Sequence, residues 1–141
     1  MLSYGNDDLP LKPSFVKING EQVNVRNRRG FTLVRINNDC SVNETSQYDT
    51  YRRETTSETD RIRDYLQNLP KNTRIAGTTY DEFTNGLLDD AKDALTDVGI
   101  DLSTASFRSS LCFVFTTGKP QQTKQSQAAR YNGPSMLSTS L

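Results

Sequence analysis

Apolar and polar positions alternate in recognisable periods between about Phe15 and Lys119, and the flanks on either side are poor in large apolar side chains. Val16, Ile18, Val23 and Val25 alternate with polar residues around Asn19-Gly20. Both turn residues tolerate positive φ, so this reads as a β-hairpin. A turn over Asn27 to Gly30 leads into Phe31–Asn37, an apolar, β-rich run expected to form a central strand. A weaker strand follows from Cys40 to about Tyr51. Ser57 with Asp60 resembles a capping box that opens a helix. Ile62, Tyr65, Leu66 and Leu69 then fall on one helical face, and Pro70 ends it. Thr73–Tyr80 is rich in β-branched residues and reads as a strand, with Gly77 marking a bulge or the close approach of another backbone. A second helix is expected from Thr84 to Val98, burying Leu88, Ala91, Leu95 and Val98, with Gly99 just past its end. Leu111–Phe115 is an unbroken apolar run, as suits a strand buried on both faces.

Strands interleaved with two amphipathic helices predict an α+β fold. The organisation read from the pattern is an N-terminal linker over 1–13, one domain over 14–119, and a flexible tail over 120–141. That tail is rich in Gln and Ser and too poor in apolar area to offset its ordering entropy.

Composition removes several functions. The 141-residue chain has 17 Lys plus Arg against 17 Asp plus Glu, hence zero formal charge and no broad basic face for nucleic acid. Arg26, Arg28 and Arg29 form the one tight basic cluster, read as a solvated turn. Histidine is absent, which excludes a Ser-His-Asp or Cys-His mechanism within this chain. Two cysteines are too few for a thiolate zinc site. No calcium-loop spacing is present, and no metal or other cofactor is expected. No run of 18 apolar residues is present to span a bilayer, so no membrane insertion is expected. The first residues lack the basic and apolar regions of a secretory signal, so the chain reads as part of a longer one.

Four stretches, in order, resemble the ILEI/PANDER domain: Arg29-Gly30-Phe31-Thr32-Leu33-Val34; Tyr48-Asp49-Thr50-Tyr51; Gly77-Thr78-Thr79-Tyr80-Asp81-Glu82 before a helix; and Phe107-Arg108-Ser109-Ser110, followed by an apolar strand and Gly118-Lys119. Ser109 stands where that family usually carries Asp, and Leu111 stands near its usual Trp. The resemblance implies a compact β-β-α globule, with two antiparallel sheets flanked by two main helices. It further implies an extracellular or secretory-pathway setting and a module without catalytic activity, either cytokine-like or an accessory domain beside other modules. One such domain is the glycan-holding stem of the O-mannose N-acetylglucosaminyltransferase.

Arg29, Asp81 and Arg108 match that stem's sugar-contacting positions. A carboxylate accepts hydrogen bonds from adjacent sugar hydroxyls while guanidinium groups donate in a planar fork, so a lectin-like site is chemically sensible. The plainer reading of the same three residues, and the one that carries more weight, is an internal Arg-Asp-Arg network tying three loops together. Tyr48, Tyr51, Tyr80 and Phe107 offer either a stacking face for a sugar ring or strand-face packing, and packing suits Phe107 best. Cys40 and Cys112 read as a disulfide or as free thiols, Cys112 then packing as a small hydrophobe. Asn43-Glu44-Thr45 is an N-glycosylation sequon in an expected turn.

The leading expectation is a non-catalytic extracellular recognition module whose partner is a glycan or a cell-surface glycoprotein. The alternative is a cytokine-like signalling or protein-interaction domain, which requires an exposed apolar patch away from the three residues. A hydrolase built on Asp81 and Glu82 needs a further carboxylate across a cleft of about 5–9.5 Å.

Overall fold

The computed structural model describes residues 1–8, 12–23, 25, 28–51 and 56–140, without the side chains of Thr56 and Ser57. The Ser57 side chain, read as a cap, and Arg26 and Asn27 of the basic turn are therefore outside the description, while the Ser57 backbone lies in the first helix. In chain order the elements are β1 (Leu2–Gly5), β2 (Val16–Ile18), β3 (Glu21–Val23), β4 (Gly30–Ile36), β5 (Val42–Tyr48), α1 (Thr56–Asn68), β6 (Arg74–Asp81), α2 (Asp89–Asp97), β7 (Ser110–Thr116), β8 (Lys124–Ala128) and β9 (Ser135–Met136). A short 3-10 turn at Pro120–Gln122 precedes β8.

Among the described residues, β4, β5, β6, β7, β8, β1 and β9 form one seven-stranded sheet, and β2 with β3 form a separate hairpin. Asn19 and Gly20 turn the hairpin with φ of 53° and 85°. Such a pair of positive φ values matches the twist of the strands it joins. The α+β class therefore holds. The expected pair of antiparallel sheets is loosely matched, because the second sheet is only this hairpin and the main sheet is mixed.

The mixing arises at β6. On one side β6 pairs antiparallel with β4 along its length, from Ile36↔Arg74 to Gly30↔Tyr80. Its other side is divided: β7 pairs antiparallel with Arg74–Thr78, while β1 pairs parallel with Tyr80 and Asp81. Buried hydroxyls close the fork. Ser3 Oγ donates to the Thr79 carbonyl at 2.5 Å and accepts from the Thr79 amide at 3.0 Å. Ser14 Oγ donates to the same carbonyl at 2.9 Å and accepts from the Tyr4 amide at 3.0 Å. The Leu111 amide donates to Thr79 Oγ1 at 3.0 Å.

Strand alternation sends successive side chains to opposite faces. Phe31, Leu33, Ile75, Leu111, Phe113 and Phe115 pack with Ile62 and Leu66 of α1 and Ala91, Ala94 and Leu95 of α2. Val34, Ile36 and Ala76 pack with Val16, Ile18 and Val23 of the hairpin. Each of the larger side chains contributes about 1.5–3 kcal/mol by leaving water.

Several expectations are corrected. The segments read as linker and tail supply β1, β8 and β9 to the sheet: Leu2 pairs with Met136, and Cys112 pairs with Ser126. β1 and β9 are only four and two residues long and β8 is polar, and each takes its backbone hydrogen bonds from other strands. Helix α2 starts at Asp89, because the preceding residues form turns, and Leu88 is exposed rather than buried. Cys40 and Cys112 are both free: Cys112 is buried in β7, where burial pushes its thiol up from the ordinary value, and Cys40 is partly buried in the turn after β4. The Asn43 sequon lies on β5, not in a turn, and its side chain is exposed.

Gly77 carries no bulge and faces Phe113 across the β6–β7 pair. A Cβ there would lie 2.2 Å from Phe113 Cζ, so the ring lies over the glycine, and the close approach is by a side chain rather than a backbone. Gly77→Ala is expected to cost about 1–3 kcal/mol by overpacking, read as a lower urea midpoint with an unchanged slope.

Candidate functional site

The end of β6 delivers Asp81 to the sheet's edge. Here β1 ends at Gly5, opposite Asp81, and Asn6 donates its amide to the Asp81 carbonyl at 3.1 Å. Asp81 takes φ of 62°, a conformation that Asp and Asn tolerate better than most residues. Its carboxylate makes no hydrogen bond or ion pair among the described residues, although Arg108 and Arg29 both act on it electrostatically. Burial is the dominant influence and pushes its pKa above the ordinary carboxylate value.

Each arginine is held by a different carboxylate. Arg29 sits just before Gly30, whose φ of 97° brings its backbone close enough to Tyr48 that a Cβ would lie 2.0 Å from the Tyr48 carbonyl oxygen. From there Arg29 forks onto Asp49, with Nε–Oδ1 at 3.0 Å and Nη2–Oδ2 at 2.7 Å. Its guanidinium lies 4.2 Å from the centre of the Tyr51 ring. Arg108, with φ of 59°, donates through Nη1 to both oxygens of Asp7 at 3.0 Å. Arg130 Nε donates to Asp7 Oδ2 at 2.5 Å. Those donors hold the Asp7 carboxyl below the usual carboxylate range, the Arg108 bond foremost.

The loop that carries Arg108 is anchored from beneath by Glu82, which is only 1% exposed. Its Oε1 accepts from the Thr84 amide, Thr84 Oγ1 and the Asn85 amide, and its Oε2 accepts from the Arg108 amide. Removing this carboxylate would leave buried donors unsatisfied, at a cost of about 1–3 kcal/mol each. Ser109 closes the same loop by donating to the Ser106 carbonyl at 2.8 Å, and Leu111 is buried in the core. Gly5 packs against the loop so closely that a Cβ would lie 2.2 Å from the Arg108 carbonyl oxygen. Asp8, also buried, accepts from the Gly5 amide at 2.7 Å and the Gly133 amide at 2.9 Å, and so fastens both terminal segments beside the site.

The structure thus brings Arg29, Asp81 and Arg108 into one neighbourhood, but their direct bonds go elsewhere: the arginines bond Asp49 and Asp7, not Asp81. The four aromatics read as a stacking face separate. Tyr48 is buried in the core and Tyr51 lies under Arg29. Phe107, expected to be packed away, is 43% exposed, with the Arg108 and Arg130 guanidiniums 5.0 and 5.5 Å from its ring centre. Asp7, Arg130 and Tyr131 carry no signal in the sequence, and Asp49 enters there only within the stretch 48–51. Lone polar residues in short irregular segments carry no periodic signal, and their role is set by contacts far along the chain.

A mixed sheet with two helices on one face, a hairpin on the other and an Arg/Asp cluster at the strand ends defines an α+β scaffold of the ILEI type. The profile of the ILEI family, interleukin-like EMT inducer, matches residues 29–119, well over half of the chain, and the protein belongs to that family. Family membership supports an extracellular cytokine-like or stem domain, and members are generally secreted or extracellular. No curated protein matches the chain. Among the described residues no helix is long and apolar enough to cross a membrane.

The raised pKa of Asp81 has a definite sign. A carboxylate whose folded pKa exceeds its unfolded value favours folding while protonated. That contribution is lost as pH rises through the folded pKa. Asp81→Asn, which keeps the shape and tolerates positive φ, is therefore expected to melt at or above wild type near neutral pH. The difference should vanish as pH falls below about 3, where both states carry protonated carboxyls. A lower melting temperature for the variant at neutral pH would mark Asp81 as a structural ion-pair member instead.

Proposed function

We propose that the protein is a non-catalytic extracellular recognition module that binds carbohydrate through Asp81, with Arg29 and Arg108 as flanking donors. One observation carries the reading: a partly buried carboxylate without a hydrogen-bond partner among the described residues stands near two arginines that other carboxylates hold in place. Such a group has two oxygens free to accept from adjacent hydroxyls. Each hydrogen bond to a charged group contributes about 1.5–3 kcal/mol. The arginines at the site do not outnumber its carboxylates, which favours a neutral, hydroxyl-rich ligand over an anion.

Other features support recognition over catalysis. Glu82, the carboxylate next in sequence, is saturated by donors and buried, which leaves it poorly placed to transfer protons. Among the described residues, the exposed large hydrophobic side chains outside the site stand apart in the chain, Val42 on β5, Leu88 before α2 and Met136 on β9, which offers little support for a protein-docking surface there.

On a glycan array, wild type should bind a restricted set of glycans, and Asp81→Asn should weaken those signals at least about tenfold, or about 1.4 kcal/mol. Absence of glycan binding by wild type, together with binding to cell-surface protein that survives deglycosylation, would favour the cytokine-like alternative.

The same extracellular reading makes Asn43 a modification site. Its side chain is exposed on β5, and its Nδ2 donates to Asn37 Oδ1 at 3.0 Å, an exchangeable surface contact. Expressed through a secretory pathway, the chain should carry an N-glycan that peptide-N-glycosidase removes and that Asn43→Gln abolishes. Unmodified secreted protein would remove this site from the proposal.

A further inference from the structure

Beside Arg108 the surface continues into an aromatic patch that the three-residue site does not use. Phe107 is 43% and Tyr131 is 65% exposed, unusual for large aromatic side chains. Arg130 joins them: its guanidinium lies 5.5 Å from the Phe107 ring centre and 4.6 Å from that of Tyr131. Arg130 is itself held by Asp7, the carboxylate that also holds Arg108. The Tyr131 phenol lies within electrostatic reach of the Arg108 guanidinium. From Asp81 through Arg108 to Phe107, Arg130 and Tyr131 the surface is therefore continuous.

The backbone marks the same path. Asp81, Arg108 and Tyr131 all adopt positive φ, at 62°, 59° and 67°. For Arg and Tyr that conformation is uncommon, and such strain gathers where a surface is built for binding. Burial of the side chain does not account for it at Tyr131, which is 65% exposed.

We infer that Phe107 and Tyr131 form a second subsite that stacks on a sugar ring next to the one Asp81 engages, so that the ligand is an oligosaccharide of at least two units. This rests on the carbohydrate reading above. An aromatic face packs against the apolar C–H face of a sugar much as it packs against other apolar surface. Arg130 pins the two rings and offers donors to hydroxyls between the subsites. The rings are exposed, so truncating them leaves the fold intact.

The test uses an array of defined glycans graded from monosaccharide to hexasaccharide. Titration calorimetry follows on the strongest oligosaccharide and on its terminal monosaccharide. Wild type should bind the oligosaccharide at least about tenfold more tightly than the monosaccharide. Phe107→Ala and Tyr131→Ala, with wild-type melting temperatures, should lose that advantage while keeping monosaccharide affinity, and Asp81→Asn should lose both. Equal binding of short and long glycans, or unchanged affinity in the aromatic variants while Asp81→Asn still abolishes binding, overturns the second subsite and leaves the Asp81 site standing. Glycan binding that survives Asp81→Asn, or is absent from wild type, overturns both. Aromatic variants that lose only a protein partner make the patch a protein-docking surface and overturn the inference as well.

Discussion

The division of β6 between two neighbours is the constraint on which the rest of the molecule depends. A central strand ordinarily pairs with one partner along each edge. Here β7 leaves after Thr78, and β1 takes up the same edge at Tyr80, in the opposite direction. Thr79 at the junction would have unsatisfied groups if Ser3 and Ser14 did not supply buried hydroxyls to its backbone. Because these bonds are made, β6 runs on to Asp81 at the sheet's edge, and the loop carrying Arg108 folds back beside it. A buried group left without its partner costs about as much as several surface ion pairs contribute, so the fork makes a stiff support for the site.

Around that support the charges are arranged so that each arginine is fixed by a carboxylate other than Asp81. The bidentate Arg29–Asp49 pair and the shared Asp7 acceptor set guanidinium positions without consuming the central carboxylate. The partial burial that raises the Asp81 pKa makes its ionised form costly to the fold. The same burial strengthens any hydrogen bond that a hydroxyl donates to it, because less water competes. Stability and the proposed binding therefore pull in opposite directions at this residue.

Much of the scaffold was legible in the chain. The period of Ile62, Tyr65, Leu66 and Leu69 located α1, the runs Phe31–Asn37 and Leu111–Phe115 located β4 and β7, and Asn19-Gly20 located the hairpin. What escaped is what long-range contacts decide. β1 and β9 are too short, and β8 too polar, to show a strand period, and they acquire strand geometry from their partners. The first turn expected of α2 gives way to the loop that Glu82 holds, a preference invisible to helical periodicity. Arg29, Asp81 and Arg108 were picked out by family resemblance, not by pattern. Asp7 and Arg130 gave no signal, since an ion pair that joins the first residues to the last has no local signature.

The paired carboxylates at Asp7 and Asp8 tie the front of the chain to the proposed binding surface. Asp7 restrains Arg108 and Arg130, Asp8 fastens Gly5 to Gly133, and β1 supports the end of β6. Proteolytic trimming of residues 1–8 would release both arginines together, strip the parallel neighbour from Asp81 and take the Ser3 hydroxyl from the buried Thr79 backbone. A clipped form should therefore lose the proposed site and part of the sheet's stability together.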